Sequence, residues 1–202
     1  MATIRNKIKV LTKYGMSTFV SFHDLDPHKE HFALIFNNAD TEKCPFVRVH
    51  SECITGDLFG SSKCDCGDQL HESLNLFSTS GGILLYLRQE GRGIGLYNKL
   101  DAYAIQEKGF DTFQANCVLN LPEDMRDFSV AAEMLKAMNI EKIHLISNNP
   151  DKYKQLKRDG IQIEDVTRTG FYLKNDNKKY LQAKIEHAGH IFKNNILNIQ
   201  TR

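Results

Sequence analysis

No one sign of charge dominates this chain of 202 residues: 26 Lys and Arg stand against 25 Asp and Glu. A net charge of +1 gives no general electrostatic reason to bind duplex nucleic acid, though a local basic site for a small polyanion remains open. Long apolar runs are also missing. None approaches the roughly 20 residues that a helix needs to cross a bilayer. The opening residues lack the basic stretch and apolar run of a secretory signal. The expectation is a cytoplasmic protein with neither membrane nor nucleic acid as partner. Proline is scarce, at four residues, and no repeat, low-complexity tract or long linker interrupts the chain. With 41% apolar and 25% charged residues, the composition is globular. A chain of this size can bury about 70% of its unfolded surface without covalent staples. One domain over residues 1–202 is expected, with 191–202 as a flexible tail of little pattern.

Local patterning predicts an α/β fold. Lys7–Leu11, Ser17–Phe22, His31–Phe36 and Phe46–His50 are short, β-branched or aromatic and partly alternating, so they read as strands. Between Asp68 and Thr79, Leu70, Leu74 and Phe77 recur at helical spacing. Ile83–Leu87 and Lys142–Ser147 read as buried strands, and Leu96–Lys108 as a helix closed by Gly109. Ser129 is a candidate cap for a helix reaching Met138. Asn149 and Pro150 start a helix that Gly160 ends, before a strand at Ile161–Ile163. Tyr180–His190 reads as a last helix. This rhythm implies a compact mixed β-sheet, partly parallel and covered by helices.

Five cysteines make an odd number in a chain that needs no crosslinks, so thiols, metal thiolates or small buried residues are expected. Cys53, Cys64 and Cys66 form a C-x10-C-x-C cluster. Three thiolates suit zinc and leave a fourth position for water, whose pKa falls to roughly 7 there. The alternative is three ordinary packed side chains. Gly60 and Gly67 would let the backbone fold tightly around such a site, whereas Cys44 and Cys117 read as packing residues. His50 is close enough in sequence to compete as a ligand, or it hydrogen-bonds locally.

Two loops suit an anion. Arg88–Gly95 follows a strand and precedes a helix; its glycines let backbone N–H groups approach phosphate, and Arg92 adds a fork. It matches neither a Walker loop nor a dinucleotide fingerprint, and a plain tight turn is the competing reading. Ser147–Lys152 stands at a strand end and helix start. There Lys152 serves phosphate or is a solvated helix lysine. Asp124–Asp127 is an acid–base candidate if the fold brings it to the metal, and otherwise a surface turn.

Arg48–Asp57, Lys63–Gly67, Arg88–Leu96 and Ser147–Pro150, in that order and spacing across roughly 45 to 160, resemble the signature segments of GTP cyclohydrolase II. The resemblance implies that family's fold and reaction: imidazole ring opening of GTP, with loss of formate and pyrophosphate, at the start of riboflavin synthesis. It implies a homodimer with zinc on Cys53, Cys64 and Cys66, and magnesium with the triphosphate. Asp124 takes the place of an acid–base aspartate, Arg126 that of a nucleophile at the α-phosphate, and Tyr103 that of an active-site tyrosine. Substrate contacts carry over to Arg48, Val49, His50, Ser51, Glu52, Gln69, Glu90, Gly91, Arg92, Thr112, Ser147 and Lys152. Glu90 or Gln69 would read the guanine edge. Two positions depart from the family pattern: Ser147 replaces a common threonine, and Asn120 a usual glycine. The synthase domain of bifunctional relatives is not expected in these 202 residues.

Overall fold

The structure, a computed structural model, describes residues 1–110, 112–122, 124–186 and 188–191, with backbone only at Thr112, Phe113 and Asn116. Most of the expected tail, residues 192–202, lies outside them. Seven strands form one mixed sheet in the order β1-β2-β3-β5-β4-β6-β7. They are β1 (Thr3–Thr12), β2 (Gly15–His23), β3 (Phe32–Phe36), β4 (Phe46–Ser51), β5 (Gly82–Leu87), β6 (Lys142–Ile146) and β7 (Gln162–Thr167). The first three strands and β5 pair antiparallel; β5, β4, β6 and β7 run parallel. The helices are α1 (Ile54–Asp57), α2 (Cys66–Ser80), α3 (Leu96–Gln106), α4 (Thr112–Val118), α5 (Ser129–Ala137), α6 (Pro150–Arg158) and α7 (Lys178–Glu186).

Period-two alternation assigns the two faces of the sheet. Val47, Val49, Ile83, Leu85 and Leu87 turn to one side, where they pack with Ala131, Leu135 and Leu156 of α5 and α6. Leu84 and Ile146 turn to the other, against Leu70, Leu74 and Phe77 of α2. Burying each of those large apolar side chains contributes about 1.5–3 kcal/mol. Sheet and helices therefore form three layers, and the central parallel strands are covered on both faces.

Most element boundaries match the sequence expectation; three details differ. Ser129 is the first residue of α5, not its cap. Phe128 stands at the N-cap, and Asp127 just before it accepts from the Ser129 amide at 2.9 Å and its hydroxyl at 2.7 Å. The short helices α1 and α4 were not anticipated, being too brief to show a period. Cys44 and Cys117 are not core residues either: Cys44 is half-buried and Cys117 exposed. Asn120 has a φ of 53°, a left-handed conformation that glycine adopts freely and asparagine tolerates better than most side chains.

Candidate active site

Strands β4, β5 and β6 are parallel and adjacent, so their carboxyl ends open on one side of the sheet. Glu52–Cys53, Gln89–Gly95 and Ser147–Asn149 follow those ends. This is where open α/β sheets place ligands. A cleft lies there, lined by all three clustered cysteines together with Ser51, Glu52, Glu90, Gly91, Arg92, Tyr103 and Arg126.

The thiols of Cys53, Cys64 and Cys66 lie within 4.8 Å of one another, and the Cys53 and Cys64 sulfurs are 3.6 Å apart. Tetrahedral zinc with bonds of about 2.3 Å separates its sulfurs by about 3.8 Å, so the set fits that ion. Two glycines make room for it. A Cβ at Gly56 would stand 2.8 Å from the Cys64 sulfur and 3.1 Å from that of Cys53. At Gly67 a Cβ would strike the Gly56 carbonyl oxygen at 2.3 Å, so the two backbones can cross only without side chains. Gly60, by contrast, faces open space.

A buried polar network fixes the cluster from below. Asp57 accepts from the Cys53 amide at 3.0 Å, the Tyr86 hydroxyl at 2.8 Å and His50 Nε2 at 3.0 Å. Of the two readings of His50, local hydrogen bonding is the one observed. Lys99 reaches the Cys53 sulfur at 3.2 Å, Thr55 Oγ1 at 2.9 Å and Glu90 Oε1 at 2.9 Å. Hydrogen bonds from Cys64 and Cys66, with the Lys99 charge added, pull the Cys53 thiol far below its ordinary range despite burial. Glu90 is therefore held by Lys99, and by the Ile54 amide at 2.5 Å. Lys99 and Tyr103 are four residues apart on α3, which turns both toward the cluster. Replacing Lys99 by Met should weaken metal affinity about 10- to 100-fold, the usual effect of losing an outer-shell partner. Chelator competition with the variant checks this.

The far side of the cleft carries cations. Arg92 lies in a loop with left-handed backbone at φ 60°, and its carbonyl accepts the Met125 amide at 2.9 Å. That contact brings the 124–126 segment to the glycine loop. Asp124 grips Arg126 through both Nε, at 2.9 Å, and Nη2, at 2.5 Å, while also accepting the Arg126 amide. Burial alone would raise the Asp124 pKa, but its bonds to Arg126 outweigh burial and hold it below the ordinary value. The Phe128 ring lies 5.3 Å from both the Arg126 guanidinium and the Lys152 ammonium.

Lys152 is not a solvated helix lysine. It is 7% exposed and donates to the Val49 carbonyl at 2.7 Å, and burial among Arg48, Arg126 and Lys184 pushes its pKa well down. Arg48, equally buried, donates to Gln69 at 2.8 Å and the Ile146 carbonyl at 3.3 Å. Gln69 passes the contact on to Asp65 at 2.6 Å. Neither Arg48 nor Lys152 hydrogen-bonds a carboxylate among the described residues, and an anion brought close would favour the charged form of Lys152 that burial disfavours. Arg48, Val49, His50, Gln69, Ser147 and Lys152 stand behind the cleft wall and not on it. Ser147 bonds within its own turn, accepting the Asn149 amide at 3.1 Å. Glu52 is paired with Arg88 at 2.7 Å. The side chain of Thr112 lies outside the described residues.

The cleft also contains residues that sequence reasoning passed over: Lys99, Tyr180, Lys184 and His190. Lys99 had a signal, its helical spacing from Tyr103. The other three come from a segment whose sequence offered only a weak helical period.

Three convergent thiols beside a cation-lined cleft at parallel strand ends define a metal-capable centre suited to a polyanionic ligand. The sequence profile of the GTP cyclohydrolase II family matches residues 3–168. A GTP cyclohydrolase-2 of Vibrio cholerae is 50% identical over 197 residues, covering 96% of this chain and all of that protein. One from Aliivibrio salmonicida is 56% identical over 170 residues, 84% of this chain and 85% of its own. The riboflavin biosynthesis protein RibBA of Bacillus cytotoxicus is 45% identical over 188 residues, 92% of this chain and 47% of that longer protein. The chain belongs to the GTP cyclohydrolase II family and is an enzyme of riboflavin biosynthesis.

Proposed function

We propose that the enzyme opens the imidazole ring of GTP, releasing formate and pyrophosphate and leaving 2,5-diamino-6-(5-phospho-ribosylamino)pyrimidin-4(3H)-one. The observation that carries this reading is the meeting of a three-thiol cluster and an anion-seeking cation group at one cleft. Cys53, Cys64 and Cys66 would hold zinc, which supplies Lewis acidity and a water acidified to about pKa 7. The guanine C8 end then faces the thiols, and the triphosphate, as its magnesium complex, faces Arg92 and Arg126, with Arg48 and Lys152 behind the cleft wall. Charged donors in such a desolvated setting bind phosphate oxygens strongly.

The chain's other groups divide the remaining work. Burial raises the Tyr103 pKa, so its hydroxyl keeps its proton and can donate at the ring end of the cleft. Asp124, held ionised by Arg126, accepts a proton or aligns the guanidinium. Arg126 acts at the phosphate stage, as a nucleophile by family resemblance or as an electrostatic stabiliser by its own chemistry, since arginine normally stays protonated. A homodimer in the cytoplasm is part of the same reading. The apolar side chains Ile8, Leu11 and Met16, each more than half exposed on the edge hairpin β1–β2, support self-association.

Incubation of the zinc-loaded protein with GTP and magnesium tests the proposal. Mass analysis should find the diaminopyrimidinone, formate and pyrophosphate in equal amounts. A ring-opened product that retains the formyl carbon would assign a different member reaction. GTP binding without any product would make the protein a nucleotide sensor.

A further inference from the structure

The family profile ends at residue 168, yet the chain continues past it into the metal loop. Beyond Thr169 it runs back along α2 and clasps the segment between the cysteines. The Gly170 amide donates to Glu72 at 2.9 Å, and Lys174 reaches Asp68 at 2.6 Å and the Ser61 carbonyl at 3.3 Å. Ser62 donates to Asp176 at 2.6 Å. Helix α7 then brings two side chains to the ligands themselves. The Tyr180 hydroxyl lies 3.4 Å from the Cys66 sulfur, and Lys184 Nζ lies 2.7 Å from Oδ1 of the fully buried Asp65, between Cys64 and Cys66. The Lys184 ammonium also sits over the Tyr180 ring at 4.5 Å, which ties the two together. The segment ends on the Ser147 loop, where the Ile191 amide donates to the Asn148 carbonyl at 3.0 Å.

We propose that residues 170–186 are a working part of the metal centre, in which Tyr180 hydrogen-bonds the Cys66 ligand and Lys184, through Asp65, fixes the Cys64–Cys66 loop. This rests on the reading of the three cysteines as a metal site. A metal-bound cysteine carries no proton, so the tyrosine hydroxyl must be the donor. Such a bond withdraws electron density from the sulfur and limits its rotation, the two ways in which outer-shell groups tune a metal. Lys184 works differently. It neutralises Asp65, whose buried charge would otherwise push the loop apart, and leaves the other Asp65 oxygen to Gln69. Both are positioning residues, because neither need touch the substrate.

Zinc affinity by chelator competition and cobalt(II) absorption, both without nucleotide, test the proposal on the full chain. Tyr180→Phe should weaken zinc binding about 10-fold or more, within the 10- to 100-fold range of outer-shell losses. The thiolate-to-cobalt charge-transfer band should move to longer wavelength, since a sulfur freed of its hydrogen bond gives up its electron more readily. The melting temperature of the metal-free variant should stay at the wild-type value. Lys184→Met should also lose affinity, and Lys184→Arg should recover most of it. Superimposable cobalt spectra and equal affinity for Tyr180→Phe would overturn the proposal. So would an affinity loss matched by an equal loss of metal-free stability, which would make the segment purely structural. A wild-type protein that binds zinc but leaves GTP intact would refute the functional reading and leave this one standing.

Discussion

Cys64→Ser should lower GTP ring opening by about 10³-fold or more, because a catalytic metal supplies several kcal/mol of transition-state stabilisation and each 1.36 kcal/mol is tenfold. The cause is local. Cys64 lies 3.6 Å from Cys53, and among the described residues Cys53, Cys64 and Cys66 are the one group of three or more His, Cys, Asp or Glu side chains placed to hold a metal. Zinc content should fall well below one per chain. The fold should survive, since the cluster stands at the ends of the strands and not within the sheet's two apolar cores. Elemental analysis, formate release and thermal melting on the same sample separate these effects. Full collapse of the fold with loss of metal would make the site structural.

Arg126→Ala should suppress pyrophosphate release about 10²- to 10³-fold, the usual effect of removing one preorganised charged donor at a reacting centre. Zinc content should hardly change, because Arg126 bonds to Asp124 and stacks on Phe128, with no contact to the cysteines among its described hydrogen bonds. The variant also releases Asp124 from the bonds that keep its pKa low, so burial would dominate and its pKa should rise. A carboxylate with a raised pKa loses its charge as the pH falls, so residual activity should decline at a higher pH than in the wild type. Rapid-quench measurement of pyrophosphate, formate and any protein–nucleotide adduct resolves the stages. Normal rates for every product would remove Arg126 from the chemistry.

Sequence pattern carried the sheet and most helices because their signals are local. The alternation of Val47, Arg48, Val49 and His50 is visible without coordinates, and so is the helical spacing of Leu70, Leu74 and Phe77. The cysteine cluster was legible for the same reason, as its three cysteines fall within fourteen residues. What stayed hidden depends on tertiary approach. Gly56 matters because two sulfurs press on it, and Gly67 because it meets the Gly56 backbone. Tyr180 and Lys184 meet their partners across 114 and 119 residues, a separation no periodicity reveals. The burial of Lys152 was equally unreadable: its place at a helix start suited a phosphate partner and a solvated lysine alike, and only the Val49 carbonyl and the Phe128 ring show it to be interior.

Formate release from metal-stripped protein titrated with zinc, at saturating GTP and magnesium, tests the central claim most directly. Turnover should be absent without zinc, rise in proportion to added metal and level off at one zinc per chain, with no recovery in Cys64→Ser at any zinc concentration. Undiminished formate release from the metal-free protein, or a wild-type plateau reached equally by Cys64→Ser, would contradict it.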